Sequence, residues 1–162
     1  DFKADKLSEE HIKEMERHHY DRSKIDQQYN ELCHNYEDIY LRVGWPDPRN
    51  ALTLLMNSTP RLQKLAETAI LDLGCGTGLV GKYLAEHGFS NIHGIDASSG
   101  MLKESEKKRV YTQLNEMFLG SPSTYPEKFH GQYHFTTASG ILADNHLDNS
   151  VFEEMLLSLK QG

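Results

Sequence analysis

Residues 70–78, ILDLGCGTG, decide how the rest of this chain is read. The stretch starts inside a short apolar run, AILDL at 69–73, of the kind that forms a buried parallel strand. It then breaks into glycine at every second position, Gly74, Gly76 and Gly78. Glycines so placed let backbone pass close under a ligand without a side-chain clash. Residues 79–87, LVGKYLAEH, read as a helix closed by Gly88. The free N–H groups at the start of that helix favour polar or negative ligand groups.

Working outward, the strand–helix alternation repeats. NIHGID at 91–96 reads as a second strand, and SSGMLKESEKKR at 98–109 as a second helix with a serine cap. YTQLNEMFL at 111–119 holds a third strand and QYHFTTASG at 132–140 a fourth. Ser150 followed by Glu153 resembles a capping box, and the helix behind it is expected to bury Phe152, Met155, Leu156 and Leu159. Upstream, the first 66 residues read as helical. Ile25, Tyr29, Leu32, Tyr36, Ile39, Tyr40 and Val43 recur at spacings of three and four, one apolar stripe that GWPDP at 44–48 stops. Leu52, Leu55 and Met56 mark a further helix up to Pro60. The expected fold is α/β: a parallel sheet with right-handed crossovers, preceded by helices. Residues 1–66 form an N-terminal helical segment capping the site, and residues 67–162 a Rossmann-like half-domain of strands one to four.

Composition narrows the function. The 162 residues suit about one domain, and the 38% hydrophobic and 25% charged residues are ordinary for a soluble protein. A formal net charge of −7 makes a poor general nucleic-acid binder, since phosphate binding relies on excess Lys and Arg. The densest basic run, KKR at 107–109, reads as a solvated helix end. Two cysteines, Cys33 and Cys75, make no disulfide framework and suit a reducing, cytoplasmic compartment. No apolar run approaches the ~18 residues of a membrane span, and no signal or transit segment is visible. The chain opens on Asp1 rather than Met, which reads as a trimmed, tagged or incomplete start. NST at 57–59 matches a glycosylation acceptor only by a motif common by chance. His11, His18 and His19 read as solvated helix positions, and no metal spacing is present.

The ligand follows from two features. In open α/β sheets, ligands bind at the carboxyl ends of the strands, where the glycine loop lies. Asp96 ends the second strand about 20 residues after the glycines, where an acid can take both hydroxyls of a ribose. A dinucleotide fingerprint has its third glycine three residues after the second; here Leu79 holds that position, which weakens an NAD-dependent reading. DLGCGTG, with Asp72 beneath the loop, closely resembles the first motif of class I S-adenosylmethionine-dependent methyltransferases. GIDASSGML at 94–102 looks like their second motif. The stretch from Gly88 to Leu114 and the helix YNELCHNYEDIY at 29–40 resemble the methyltransferase-like proteins of the Williams–Beuren region group.

That resemblance implies S-adenosyl-L-methionine as cofactor, S-adenosyl-L-homocysteine as product, and a methyl acceptor that the sequence does not identify. It implies a cofactor site of Tyr29, Tyr36, Asp72, Gly74, Cys75, Gly76, Gly78, Asp96, Ala97, Met101, Gly120, Ser121 and Ser139. Within it Asp96 takes the ribose, and Ala97 and Met101 the adenine. Asp144 and His146, in the loop after the fourth strand, are the candidates for positioning or deprotonating the acceptor. Three departures stand out. Gly120-Ser121 replaces a Gly-Asp whose acid contacts the adenine amine, and Tyr133-His134 replaces a Tyr-Asp. The third is that the chain stops at LLSLKQG, 156–162, where a fifth of seven strands is expected to begin. The fourth strand is then expected as a bare edge, completed by later residues or a second chain. The alternative function is a methyltransferase-like module that holds the cofactor without turnover.

Overall fold

The computed structural model describes residues 21–42, 44–143 and 145–161. His11, His18, His19, Val43 and the candidate Asp144 lie outside the described residues. Four parallel strands form the sheet: β1 (Ala69–Leu73), β2 (Asn91–Asp96), β3 (Gln113–Glu116) and β4 (Phe135–Ala138). Their order is β3-β2-β1-β4, so the strand order reverses beside β1, and the glycine loop leaves at that point. Ala69 pairs with Asn91 on one side, and Ile70 with Phe135 on the other.

Every residue of β1 is buried, because both faces of the sheet are covered. On one face Ile70 and Ile92 meet Leu52 and Leu55 of α3 (Asp47–Ser58) and Val80 and Leu84 of α4 (Leu79–Glu86). On the other, Leu71, Leu73 and Ile95 pack with Tyr125, Phe129, Tyr133 and Val151. The alternation of Leu71 and Leu73 against Ile70 is the period-two reading of a strand with two apolar sides. Gly78 holds the left-handed N-cap position of α4 at φ +90°, and a Cβ there would stand 2.6 Å from Ser105 Oγ. Both facts require glycine.

The N-terminal stripe is not one helix. It divides into α1 (Ile25–Leu32) and α2 (Tyr36–Arg42), with a turn between them in which Asn35 N–H donates to Leu32 C=O at 3.0 Å. Leu32 and Ile39 stay buried across the break, so the apolar periodicity survives while the axis does not. After the stop at GWPDP, Asp47 and Pro48 already belong to the first turn of α3, where proline loses no helical hydrogen bond. The serine cap of α5 (Ser99–Lys108) forms as read: Ser98 Oγ accepts from Met101 N–H at 3.1 Å.

The last helix, α6 (Val151–Ser158), departs from expectation twice. Ser150 makes no side-chain cap; Asp148 Oδ1 accepts both its Oγ–H, at 2.5 Å, and its N–H, at 2.9 Å, while Oγ lies 3.1 Å from Gly120 C=O. The buried face is Val151, Glu154 and Ser158, whereas Phe152 and Leu156 are 46% and 70% exposed. The stripe at 151, 154 and 158 faces the Tyr125–Phe129 cluster and the loop after β3, and its polar groups find partners there. Ser158 Oγ, for example, donates to Glu154 C=O at 2.8 Å and meets Tyr125 OH at 2.7 Å.

Nor is the edge of β4 wholly bare. Leu159 forms a parallel bridge with Tyr133, and Lys160 N–H donates to Tyr133 C=O at 2.8 Å, the first step of a further parallel pairing. Where the resemblance expects an acid after Tyr133, His134 Nδ1 accepts Ala69 N–H at 2.9 Å, tying β4 to β1.

Candidate cofactor and methyl-transfer site

A cavity of about 290 Å³ opens at the carboxyl ends of the strands. That lies at the small end of the range for small-molecule sites. Of the candidate residues, Tyr29, Tyr36, Gly74, Gly76, Asp96, Ala97, Met101, Ser121, Ser139 and His146 line it. Four others do not. Asp72 lies beneath the loop, Cys75 is buried with its Sγ against Gly94, Gly78 starts α4, and Gly120 turns its N–H away to Glu154.

Asp96 joins the loop to the next strand. Its Oδ2 accepts Gly76 N–H at 2.8 Å and its Oδ1 accepts Ser98 N–H at 2.9 Å. Each oxygen keeps a further lone pair for a ligand hydroxyl. Burial pushes its carboxyl up, opposed by those backbone bonds, which favour the anion. Asp72, 1% exposed, accepts from Tyr111 OH at 2.6 Å and Thr137 Oγ1 at 2.8 Å. Burial raises it to about 7. Burial likewise pushes the Cys75 thiol well up, which leaves no thiolate nucleophile in the loop.

Sequence reasoning named Tyr29, Tyr36 and His146 but not their pairing across the cavity, and it missed Arg22, Asp26, Met117, Phe118 and Leu119. Tyr29 OH lies 2.8 Å from His146 Nε2, so a helix near the chain start meets the loop after β4. Arg22 Nη1 donates to Asp148 Oδ2 at 2.8 Å across the same gap, and both Arg22 and Asp26 line the cavity. Tyr36 packs edge-on to Tyr29 at 6.1 Å and against Tyr40 at 4.4 Å, and Trp45 backs both Tyr36 and Tyr40. Met117, Phe118 and Leu119 add an apolar wall after β3. Ser139 Oγ is buried without a hydrogen-bond partner among the described residues and lines the cavity. A buried hydroxyl so placed is what a polar ligand atom would satisfy. Away from the cavity, Cys33, His34 and Glu104 bring one ligand atom each within 4.8 Å, and Lys107 already holds both Glu104 oxygens at 2.7 Å. Among the described residues no helix is long and apolar enough to cross a membrane.

A β3-β2-β1-β4 parallel sheet, a glycine loop at its reversal point and an acid at the tip of β2 define a Rossmann-like methyltransferase domain of the class I, S-adenosylmethionine-dependent type. The chain belongs to the methyltransferase-domain family, whose model matches residues 70–162. It is similar to human methyltransferase-like protein 27, with 30% identity over 135 residues, 83% of this chain and 53% of that protein. The chain therefore spans about half the length of that curated relative. Two solved structures share the fold. Magnesium protoporphyrin IX methyltransferase of Synechocystis PCC 6803 with bound SAH has a TM-score of 0.52 at 18% identity, covering 72% of this chain and 57% of that one. A chain from the complex of a Haloferax volcanii methyltransferase activator, Trm112, with its methyltransferase has a TM-score of 0.56 at 16% identity, covering 83% and 57%.

Proposed function

We propose that the cavity binds S-adenosylmethionine and that the protein transfers its methyl group to an acceptor. The observation that carries the reading is Asp96, which lines the cavity while its carboxylate ties down the glycine loop. When bound, the cofactor supplies an electrophilic methyl on a sulfonium, already a good leaving group. The residues then have three tasks. Asp96 accepts the ribose hydroxyls, with Ala97 and Met101 on one side of the base and Ser121 at its edge. Gly74 and Gly76 keep backbone close to the amino-acid portion, and Ser139 Oγ gives it a hydrogen bond. Tyr29, Tyr36 and His146 close the far end, exclude water and align the acceptor, the main demand of a methyl transfer. His146 Nε2, facing Tyr29 OH, takes the proton if the acceptor carries one. Asp144 stays a candidate for the same task.

The N-terminal segment acts as the cap of the site in this reading, in a cytoplasmic protein. The test is a calorimetric titration of S-adenosylhomocysteine into the protein and into Asp96→Ala. Loss of a charged ribose contact is expected to cost roughly 1.5–3 kcal/mol, about tenfold to hundredfold in affinity. Equal affinities in folded samples, or tighter binding of NAD, would sink the reading. A non-catalytic module remains the second reading because Ser121 stands where the resemblance expects an acid. It predicts a full-length protein that binds the cofactor yet moves no labelled methyl onto any component of a cell extract.

A further inference from the structure

The loop after β3 is held by a carboxylate that the methyl transfer does not use. Glu154, in the first turn of α6, is 1% exposed. Both of its oxygens accept Gly120 N–H, at 3.0 and 2.9 Å, and Oε1 also accepts Ser121 N–H at 2.8 Å. A buried carboxylate is costly unless hydrogen-bonded, and here the partners are two successive backbone amides converging on one anion. Gly120 makes that convergence possible. Its φ is +91°, and a Cβ would stand 2.8 Å from Arg22 Nη2. The Ser150 hydroxyl, just before α6, donates mainly to Asp148 Oδ1 at 2.5 Å and lies 3.1 Å from Gly120 C=O, so the two amide bonds to Glu154 are the main hold on this turn. The backbone N–H groups of Gly120 and Ser121 are therefore both tied to the start of one helix. The Ser121 side chain is not. It lines the cavity, and its hydroxyl makes no hydrogen bond among the described residues.

We propose that Glu154 is a specificity-determining positioning residue: by locking Gly120 and Ser121 it holds the Ser121 hydroxyl against the amino edge of the adenine. The proposal rests on the cofactor reading above. In it, recognition of the base depends on a side chain that never touches the ligand. It also explains why a serine suffices where the resemblance expects an acid, since a short hydroxyl discriminates only if its backbone is fixed.

The experiment compares two ligands by calorimetry: S-adenosylhomocysteine and its analogue with unsubstituted purine in place of adenine. They differ by the one exocyclic amine. The native protein is expected to prefer the adenine form by about fivefold, the worth of one neutral hydrogen bond. Ser121→Ala is expected to bring the ratio to near one, and Glu154→Gln to do the same from a distance. Glu154→Asp, which keeps the charge but shortens the reach, guards against a variant that fails to fold. A merely structural role would weaken both ligands equally and leave the ratio untouched. An unchanged ratio in either folded Glu154 variant, or in Ser121→Ala, overturns the proposal. A native protein that binds both ligands equally overturns it alone, whereas one that binds neither overturns the cofactor reading beneath it as well.

Discussion

Asp72 shows how far a single residue can depart from its apparent role. In the sequence it is a carboxylate under a ligand loop. In the fold it is sealed from the cavity, with Tyr111 and Thr137 as its hydrogen-bond donors. Burial raises its carboxyl from 3.8 to about 7. Between those values the folded protein holds a proton that the unfolded chain releases, so stability falls as pH rises across the window and the loss is complete above about 7. One pKa unit corresponds to about 1.4 kcal/mol. Asp72→Asn removes the titration. Its stability relative to the native protein is expected to rise by about 3 kcal/mol between pH ~4.5 and pH ~8, measured by urea denaturation. A constant offset at both pH values would show that the native Asp72 stays ionised. Burial pushes the Asp96 carboxyl up as well, opposed by its backbone partners, but its side chain reaches the cavity.

Among the elements, α1 does more than line the cavity. Asn30 Oδ1 accepts both Ser98 Oγ–H and Gly100 N–H, each at 2.7 Å, so one helix caps the start of another. Asn30→Ala is expected to cost about 1–2 kcal/mol, the usual worth of a lost cap with a buried donor left behind. An unfolding free energy from urea denaturation that changes by less than about a tenth of that would show that water takes over the role. The helix α6 carries the clearest misreading. Its apolar residues predict one buried face and the structure buries another, because Glu154 and Ser158 meet partners that no local pattern reveals. Amphipathic periodicity assumes that the buried side is apolar, and a fully hydrogen-bonded glutamate breaks that assumption.

At the scale of the whole molecule, the described N-terminal helices line the cavity and are fastened on both sides by polar side-chain pairs. Arg22 meets Asp148 with both side chains about half exposed, Lys108 meets Glu37, and His34 meets Glu104 at 2.9 Å. An exposed pair such as Arg22–Asp148 contributes about 0–1 kcal/mol and is screened by salt. Residues 21–42 are therefore expected to exchange amide hydrogens faster than β1 and β2, and faster still when salt rises from about 50 mM to about 500 mM. Equal protection of the helices and the sheet at both salt concentrations would mean that the apolar contacts of Leu32 and Ile39 hold the cap instead. Saturation with S-adenosylhomocysteine is expected to slow exchange in the same helices, since Tyr29 and Tyr36 line the cavity.

The strand–helix order, the glycine loop and the acid at the tip of β2 were legible in the sequence because each is written locally. Strand burial shows as a short apolar run, left-handed backbone as glycine, and the loop-to-acid distance as a fixed spacing of about 20 residues. The cavity's closure was not. Tyr29 and His146 are 117 residues apart and Arg22 and Asp148 are 126 apart, so only the folded chain brings them together. Glu154 is the sharpest case. A lone acid in a helix carries no signal of its own, and its place became visible once tertiary packing set two backbone amides against it in a site closed to water.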